Sequence, residues 1–222
     1  MSIANRLREV TDSLPQGVRL VAVSKFHPAE YVKEAYDAGQ RVFGESREQE
    51  LSRKVEELPK DIEWHFIGHL QTNKVKYIAP YISMIDAVDS LKLLREINKQ
   101  AAAHGRTIKV LLELHIAEEE TKYGLSLDAC RELLEGGEWR ALQNVQICGL
   151  MMMASHVDDE SVIRKEFMLA ADFFDEVKAR YFVDDDAFCE RSWGMSHDYH
   201  IAAECRSTMV RVGTYIFGER NY

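Results

Sequence analysis

The sequence has few cysteines and no long apolar run, and both absences narrow the class of protein. Its four cysteines are widely spaced in 222 residues and include no C-x-x-C pair, which disfavours a disulfide framework and a zinc site. No apolar stretch reaches the roughly 18 residues of a membrane-spanning helix. The first six residues lack the basic-then-apolar order of a signal peptide. We therefore expect a cytoplasmic protein with reduced, mostly buried thiols and no membrane partner.

Positive charge is also in short supply. The chain has 28 Lys and Arg against 37 Asp and Glu, which gives a formal net charge of −9. Wrapping nucleic acid requires basic side chains that neutralise phosphates, so an acidic chain is a poor candidate for it. The hydrophobic fraction of 46% is ordinary for a globular protein with a substantial core. We expect a folded chain that binds no nucleic acid.

Apolar strand-like runs alternate with amphipathic helical patterns along nearly the whole chain. A lead-in helix is predicted over 3–13, before the first β-branched run. The predicted strands are 18–23, 41–43, 62–67, 82–86, 107–115, 145–151, 188–192 and 209–212. The predicted helices between and after them are 29–38, 47–58, 71–78, 89–103, 126–135, 159–181, 198–206 and 214–218. Eight β-then-α units without a linker predict an α/β fold: a single-domain, closed (β/α)8 TIM-type barrel over residues 1–222.

A doubly wound open sheet is the alternative fold. Such a sheet binds dinucleotides through a glycine-rich turn after its first strand. No G-x-G-x-x-G follows residues 18–23 here, so the barrel is favoured.

The carboxyl ends of barrel strands carry the active groups of this fold. Residues at those ends are rich in glycine, hydroxyl and ionisable groups, namely Ser24, Lys25, Gly44, Glu45, Ser46, Gly68, His69, Asp86, His115, Met152, Met153, Gly194, Met195, Ser196, Gly213 and Thr214. Lys25 directly follows an apolar strand, and partial burial lowers the pKa of a lysine. A neutral amine can attack a carbonyl and form an imine. A solvated strand-end lysine is the alternative, and Lys25 alone does not decide between the two.

The C-terminal segment contains a candidate anion site. Loops after barrel strands seven and eight, with the start of a short extra helix, commonly hold phosphate in this fold. Backbone N–H groups of Gly213 and Thr214 would point at such an anion, and Ser196 would add a hydroxyl. A glycine that only allows a tight turn is the alternative. Arg211, if it points into the barrel, needs an acceptor, which would be either a pyridine nitrogen or a barrel carboxylate.

Two histidine pairs do not predict a metal site. His65 and His69 are four residues apart, but they lie in a strand and at its exit, where that spacing has no helical meaning. His197 and His200 flank Asp198 and Tyr199 at a predicted helix start, where solvated helix-cap residues are the favoured interpretation. We predict no bound metal.

Several blocks of the sequence resemble the pyridoxal phosphate homeostasis proteins, which are related to the N-terminal barrel of bacterial alanine racemase. The blocks are Val21–Lys25, Phe43–Glu45, Trp64–Gly68 with Leu70, Gln71, Asn73 and Lys74, Lys122 with Gly124, Gly149–Met151, Gly194–Ser196 with Asp198, and Ser207–Gly218. They run from about residue 20 to the end of the chain. The W-H-F-I-G-x-L-Q-x-N-K and S-T-M-V-R-x-G-T-x-I-F-G blocks are specific.

The resemblance implies a fold-type III barrel that carries pyridoxal 5′-phosphate (PLP) as a Schiff base on Lys25. It implies that Ser196, Gly213 and Thr214 hold the phosphate and that Arg211 faces the pyridine nitrogen. Ser46 and Met195 are expected beside the cofactor. The family usually has Asn at the position of Ser46, and the sequence also departs from the family at Trp193 and His69, so the pocket mouth is expected to differ.

The resemblance also implies a role in intracellular vitamin B6 and amino/keto-acid homeostasis without defined turnover. A PLP-dependent amino-acid racemase or decarboxylase is the alternative. A racemase needs acid/base groups on both faces of the substrate carbanion, and related racemases take the second base from an additional β domain. The chain ends at Tyr222, which is expected to leave no room for that domain and favours binding over racemisation. The expected partners are PLP and PLP-requiring apoenzymes, and the expected state is a monomer. A Schiff-base aldolase without cofactor is a third candidate, and it predicts no chromophore.

Overall fold

The computed structural model describes residues 1–116 and 123–219, so Lys122 of the sequence blocks lies outside them. Eight parallel strands pair in chain order and close into a barrel. They are β1 Arg19–Val23, β2 Val42–Glu45, β3 Glu63–Phe66, β4 Met84–Val88, β5 Ile108–Leu114, β6 Val145–Met152, β7 Glu190–Ser192 and β8 Met209–Val212. The predicted (β/α)8 barrel is confirmed, and the open-sheet alternative is excluded because β1 pairs with β8. That residues 1–222 form one domain stays a prediction.

The helices fall where the amphipathic patterns predict them. They are α1 Ile3–Ser13, α2 Ala29–Asp37, α3 Glu48–Glu57, α4 Val75–Ile78, α5 Leu91–Ala103, α6 Leu127–Glu135, α7 Glu160–Tyr181, α8 Tyr199–Glu204 and α9 Thr214–Phe217, with 3-10 turns at Thr72–Lys74 and Glu138–Ala141. Serine side chains set several of the starts: Ser2, Ser90 and Ser126 each accept a hydrogen bond from the backbone N–H three residues later. Helix α1 precedes β1, as predicted.

The barrel interior is layered along the strand direction. A small apolar cluster inside the barrel contains Val21, Met84, Ala87, Leu111, Cys148, Met151 and Met209. Residues two apart on a strand point to the same face. Asp86, Glu113 and Arg211 lie two residues beyond Met84, Leu111 and Met209, and all three are buried. A polar layer therefore lies above the apolar one, toward the carboxyl ends of the strands.

The thiols agree with the expectation from the sequence. All four cysteines are free, Cys130, Cys148 and Cys205 are buried, and Cys189 is exposed.

Within residues 1–116 and 123–219, the helices are all too short or too polar to cross a bilayer.

Gly149 allows β6 to pair closely with β7. Its register partner is Glu190, and a Cβ at residue 149 would overlap the Glu190 carbonyl oxygen. No flexible side chain can move aside there, because the obstacle is backbone. The glycine is therefore required by the close approach of the two strands.

We expect Gly149→Ala to lower the free energy of unfolding by roughly 3 kcal/mol, since overpacking against backbone forces the strands apart. Gly17→Ala is the matched control, because Gly17 has φ +91° but no atom within 4 Å of the added Cβ. Its cost should be about 1 kcal/mol, the penalty of a left-handed non-glycine residue. Chemical denaturation measures both, and equal losses in the two variants would contradict the packing explanation.

Candidate functional site

The predicted lysine lies at the carboxyl end of β1, at the mouth of the barrel. Lys25 is half-buried and follows Ser24, which is fully buried. The Ser24 N–H donates to the Gly44 carbonyl, 3.1 Å away, and so continues the pairing of β1 with β2 by one residue. The position of Lys25 is therefore set by the barrel itself.

Charged side chains of β2 and α3 form an ion network around Ser24, the residue that precedes Lys25. The Lys54 Nζ donates to the Ser24 carbonyl at 2.8 Å and to Glu45 Oε1 and Glu50 Oε1 at 2.7 Å each. The Ser24 Oγ donates to the same Glu45 oxygen at 2.7 Å. The Lys54 and Glu45 side chains are only 5% and 0% exposed, so the ammonium has exchanged water for three protein oxygens.

Sequence reasoning missed Glu50 and Lys54. The sequence predicts a helix over 47–58 that is rich in charged residues, and such helices are usually solvated. A signal was present, because Lys54 lies three residues after Leu51 and four before Leu58, both buried. It therefore occupies a position on the apolar stripe of α3, where a lysine needs a buried partner.

Phe26, the residue after Lys25, has a left-handed backbone with φ 67°. Such a conformation costs a non-glycine residue about 1–3 kcal/mol and persists only where the surroundings impose it. The Phe26 N–H donates to Glu50 Oε1 at 2.7 Å, and the Arg47 guanidinium lies 4.5 Å from the centre of the Phe26 ring. These contacts come from α3 and the residue before it.

Burial dominates the ionisation of Glu45. Removal from water raises its pKa to about 7, the Lys54 charge opposes the increase, and the Glu50 carboxylate adds to it. The other oxygen of Glu45, Oε2, has no hydrogen-bond partner among residues 1–116 and 123–219. Burial therefore disfavours the charged form of Glu45 at this position.

The end of β8 packs against the end of β1. Ala22 and Val212 are register partners, and a Cβ at Gly213 would lie 2.8 Å from the Val23 carbonyl oxygen. The closed barrel therefore places the Gly213–Thr214 turn beside the strand end that carries Lys25. The structure brings together the two regions that the sequence singled out separately.

Ser196 is tied to this turn. The Gly213 N–H donates to Ser196 Oγ at 3.1 Å. Ser196 is half-buried and Thr214 is exposed at the start of α9. The Gly213 N–H, which was predicted to point at an anion, thus holds the Ser196 hydroxyl instead. The hydroxyl hydrogen of Ser196 is left as a donor.

Met195 is held by a buried carboxylate. Its N–H donates to Asp198 Oδ1 at 2.5 Å, and the other carboxylate oxygen lies 3.1 Å from Nε2 of His197. Burial raises the pKa of Asp198, and the bond from Met195 opposes the increase. The loop that presents Met195 and Ser196 is therefore anchored from the interior side.

Arg211 points into the barrel, which is the direction that both of its predicted acceptors require. Its NH1 donates to the carbonyl and the hydroxyl of Ser192, at 2.7 Å each, and its NH2 donates to the Met152 carbonyl at 2.9 Å. The Ser192 hydroxyl is in turn 3.5 Å from Asp86 Oδ2. Burial lowers the pKa of Arg211, and the negative charges of Asp86 and Glu113 oppose that decrease. The guanidinium is thus fixed chiefly by neutral oxygens.

Asp86 differs from its predicted position. The sequence placed it at the exit of the fourth strand, but β4 continues to Val88 and Asp86 is fully buried inside the barrel. Its Oδ1 lies 3.0 Å from Nδ1 of His65 on β3. Asp86 therefore belongs to the polar layer, and the residue that follows the strand is Asp89.

Two of the three departures from the sequence pattern, His69 and Ser46, lie at the mouth after β3 and β2, whereas Trp193 is buried after β7. The His69 ring stacks on Tyr123 with centroids 3.9 Å apart, and its Nδ1 lies 3.4 Å from Asp89 Oδ2. Ser46 is half-buried and packs against Gly68, where a Cβ would lie 2.7 Å from that of Ser46.

Across the parts of the chain that the structure describes, no cluster of three or more His, Cys, Asp or Glu could hold a metal ion.

Known proteins resemble the chain over its whole length. Residues 1–221 match the family described as alanine racemase, N-terminal domain. The pyridoxal phosphate homeostasis protein of Aquifex aeolicus is 37% identical over 224 residues, which cover 99% of this chain and 96% of that protein. The human protein of the same name is 37% identical over 100% of this chain and 82% of its own length.

Solved structures share the fold. PipY of Synechococcus elongatus, solved with PLP bound, superposes with a TM-score of 0.88 at 36% identity and covers 98% of this chain and 100% of that one. An alanine racemase of Clostridium difficile superposes with a TM-score of 0.77 at 14% identity. The match covers 100% of this chain and 57% of the racemase, and at that identity it shows the fold alone.

The polar layer makes stability depend on pH. Burial raises the pKa of Glu113 from 4.5 to about 7, Asp89 and Asp86 add to the increase, and Arg211 opposes it. The folded protein therefore holds this proton more tightly than the unfolded chain between these two values. The contribution of Glu113 to the free energy of unfolding should fall as the pH rises through this window, and it should level off above it.

We expect Glu113→Gln to remove that dependence. Relative to the wild type, the variant should gain about 3 kcal/mol between pH 4.5 and pH 8, because the amide does not ionise. Urea unfolding at both pH values measures the difference. Glu132→Gln, which removes an exposed glutamate on α6, is the matched control. The same gain in both variants would contradict the assignment to Glu113.

Proposed function

The chain belongs to the pyridoxal phosphate homeostasis proteins, within the alanine racemase N-terminal domain family, and we propose that it binds PLP through Lys25. The proposed role is in intracellular vitamin B6 and amino/keto-acid homeostasis. The observation that carries the proposal is the full-length likeness to PipY with PLP bound, combined with a half-buried lysine at the end of β1.

The donor set at the mouth fits PLP. The cofactor supplies an aldehyde that condenses with an amine, a phosphate and a pyridine nitrogen. Lys25 offers the amine for a Schiff base, the Ser196 hydroxyl and the exposed Thr214 offer donors for the phosphate, and the buried Arg211 offers N–H groups for the nitrogen. Gly213 serves the phosphate by holding Ser196 and by letting the turn approach β1. Ser46 and Met195 are proposed as walls beside the ring.

Arg211 favours holding PLP over turning over amino acids. A guanidinium remains protonated in proteins and donates hydrogen bonds only. Opposite a pyridine nitrogen it would keep that nitrogen unprotonated, and the ring would be a weaker electron sink for a carbanion. We therefore propose a PLP-binding protein without defined catalytic turnover. Its cytoplasmic location, its monomeric state and its delivery of PLP to apoenzymes stay predictions.

We expect the purified protein loaded with PLP to absorb visible light and borohydride reduction to fix the cofactor on Lys25. Lys25→Ala should abolish the visible absorbance, because it removes the proposed imine nitrogen, and the neighbouring Lys54 amine is held by Ser24, Glu45 and Glu50. Absorbance spectra and peptide mass mapping measure these outcomes. Lys33→Ala, at an exposed position on α2, should keep the absorbance. Retention of the absorbance in Lys25→Ala, or mapping to another lysine, would overturn the assignment.

We also expect no exchange of amino-acid α-hydrogens above the rate given by free PLP. The reason is the weak electron sink that Arg211 imposes. NMR in deuterated water detects slow exchange at the α-carbon. Exchange well above that background, and lost in Lys25→Ala, would favour a racemase or decarboxylase instead.

A further inference from the structure

Helix α3 holds the backbone on both sides of Lys25. The Ser24 carbonyl, before the lysine, accepts from Lys54 Nζ at 2.8 Å. The Phe26 N–H, after the lysine, donates to Glu50 Oε1 at 2.7 Å. Both partners are side chains of Glu48–Glu57, more than twenty residues away in sequence. One helix thus fixes the two peptide groups between which Lys25 lies.

Glu50 and Lys54 act as one unit in this arrangement. A single oxygen of Glu50 accepts from both the Phe26 N–H and the Lys54 Nζ. The Lys54 ammonium uses its three hydrogens on Ser24, Glu45 and Glu50, so it has none left for another partner. The Glu50 side chain is 14% exposed and the Lys54 side chain 5%. Water therefore offers little substitute for these bonds if one of them is lost.

The backbone of Phe26 needs this restraint. Its φ of 67° is in the left-handed region, which a residue with a Cβ leaves readily when nothing holds it. Rotation about the N–Cα bond of Phe26 would turn the peptide group between Lys25 and Phe26 relative to the residues that follow. The hydrogen bond to Glu50 therefore restrains the peptide group that joins Lys25 to Phe26.

We propose that Glu50, supported by Lys54, is a positioning residue for Lys25. It acts through the Phe26 backbone and directs the lysine amine toward a bound aldehyde, and it does not itself contact the cofactor. The proposal rests on the proposed function, since it assumes that Lys25 forms the covalent bond to PLP.

Two ligands separate positioning from general structural support. PLP carries the aldehyde, whereas pyridoxine 5′-phosphate carries an alcohol at the same carbon and cannot bond to an amine. Misdirection of Lys25 should weaken PLP binding and spare pyridoxine 5′-phosphate. Damage to the whole pocket should weaken both. The measured quantity is therefore the ratio of the two dissociation constants, with Lys25→Ala as the reference for a pocket without the amine.

Three substitutions at residue 50 separate the effect of side-chain length from the effect of side-chain charge. Glu50→Ala removes the acceptor, Glu50→Asp keeps the charge but withdraws the oxygen by one methylene, and Glu50→Gln keeps an oxygen in reach without charge. We expect Ala and Asp to lower the preference for PLP by roughly three- to tenfold, the size of one hydrogen bond. Gln should retain it within about twofold, because its amide oxygen still accepts from Phe26. Glu56→Ala, at an exposed position on α3, should change nothing.

The outcomes are distinguishable. The positioning role is overturned if a Glu50 variant loses affinity for PLP and for pyridoxine 5′-phosphate in parallel, or if Glu50→Asp leaves the preference for PLP unchanged. In either case Lys25→Ala would still lower that preference, so the proposed function would stand. If Lys25→Ala leaves the ratio as in the wild type, the proposed function fails, and the positioning role fails with it. Thermal unfolding confirms that each variant is folded, and if Glu50→Ala is not, the Asp and Gln variants decide by the same comparison.

Discussion

Closure of the barrel between β1 and β8 brings the two halves of the proposed site together. The two strands are consecutive around the barrel although they are the first and last in sequence, and their register pairs Ala22 with Val212. The glycine at residue 213 allows the β8 exit to reach within contact distance of the Val23 carbonyl. Lys25, two residues past the end of β1, and the Gly213–Thr214 turn after β8 therefore meet at one side of the mouth. No local sequence property would bring them together without this closure.

Below the mouth, the barrel contains charge where most barrels contain aliphatic side chains. Arg211, Ser192, Asp86 and His65 form a continuous series of close polar contacts across four strands. A second buried set, Glu45, Glu50 and Lys54, lies behind β1. Buried ion pairs seldom stabilise a fold relative to apolar packing, since desolvation offsets their attraction. Their presence at the carboxyl ends of the strands is better explained by the site, where they fix the direction of Arg211 and of the backbone around Lys25.

Much of this could be predicted from local sequence patterns. The strand and helix periodicities predicted the eight βα units, and the rule that barrel chemistry lies at strand exits placed Lys25, Ser196 and Gly213 among the candidates. The resemblance of the sequence blocks then selected the ligand. Helix α1 and the serine N-caps were equally accessible, because both depend on residues within one turn of each other.

The remainder depends on contacts between distant residues. Lys54 has the sequence neighbourhood of a solvated helix, and only the position of Ser24 and Glu45 in space shows why it is buried. Glu113 lies in a strand that is buried on both faces, so alternation does not reveal that it points inward. The error at Asp86 has the same origin, since the end of β4 is set by its pairing of Val88 with Leu112 after a register shift.

A crystal structure of the protein with PLP tests the proposed site most directly. We predict continuous electron density from Lys25 Nζ to the cofactor, with the phosphate at Ser196 and Thr214 and the ring nitrogen at Arg211. PLP bonded to another lysine, or a phosphate remote from the β7 and β8 exits, would contradict the account.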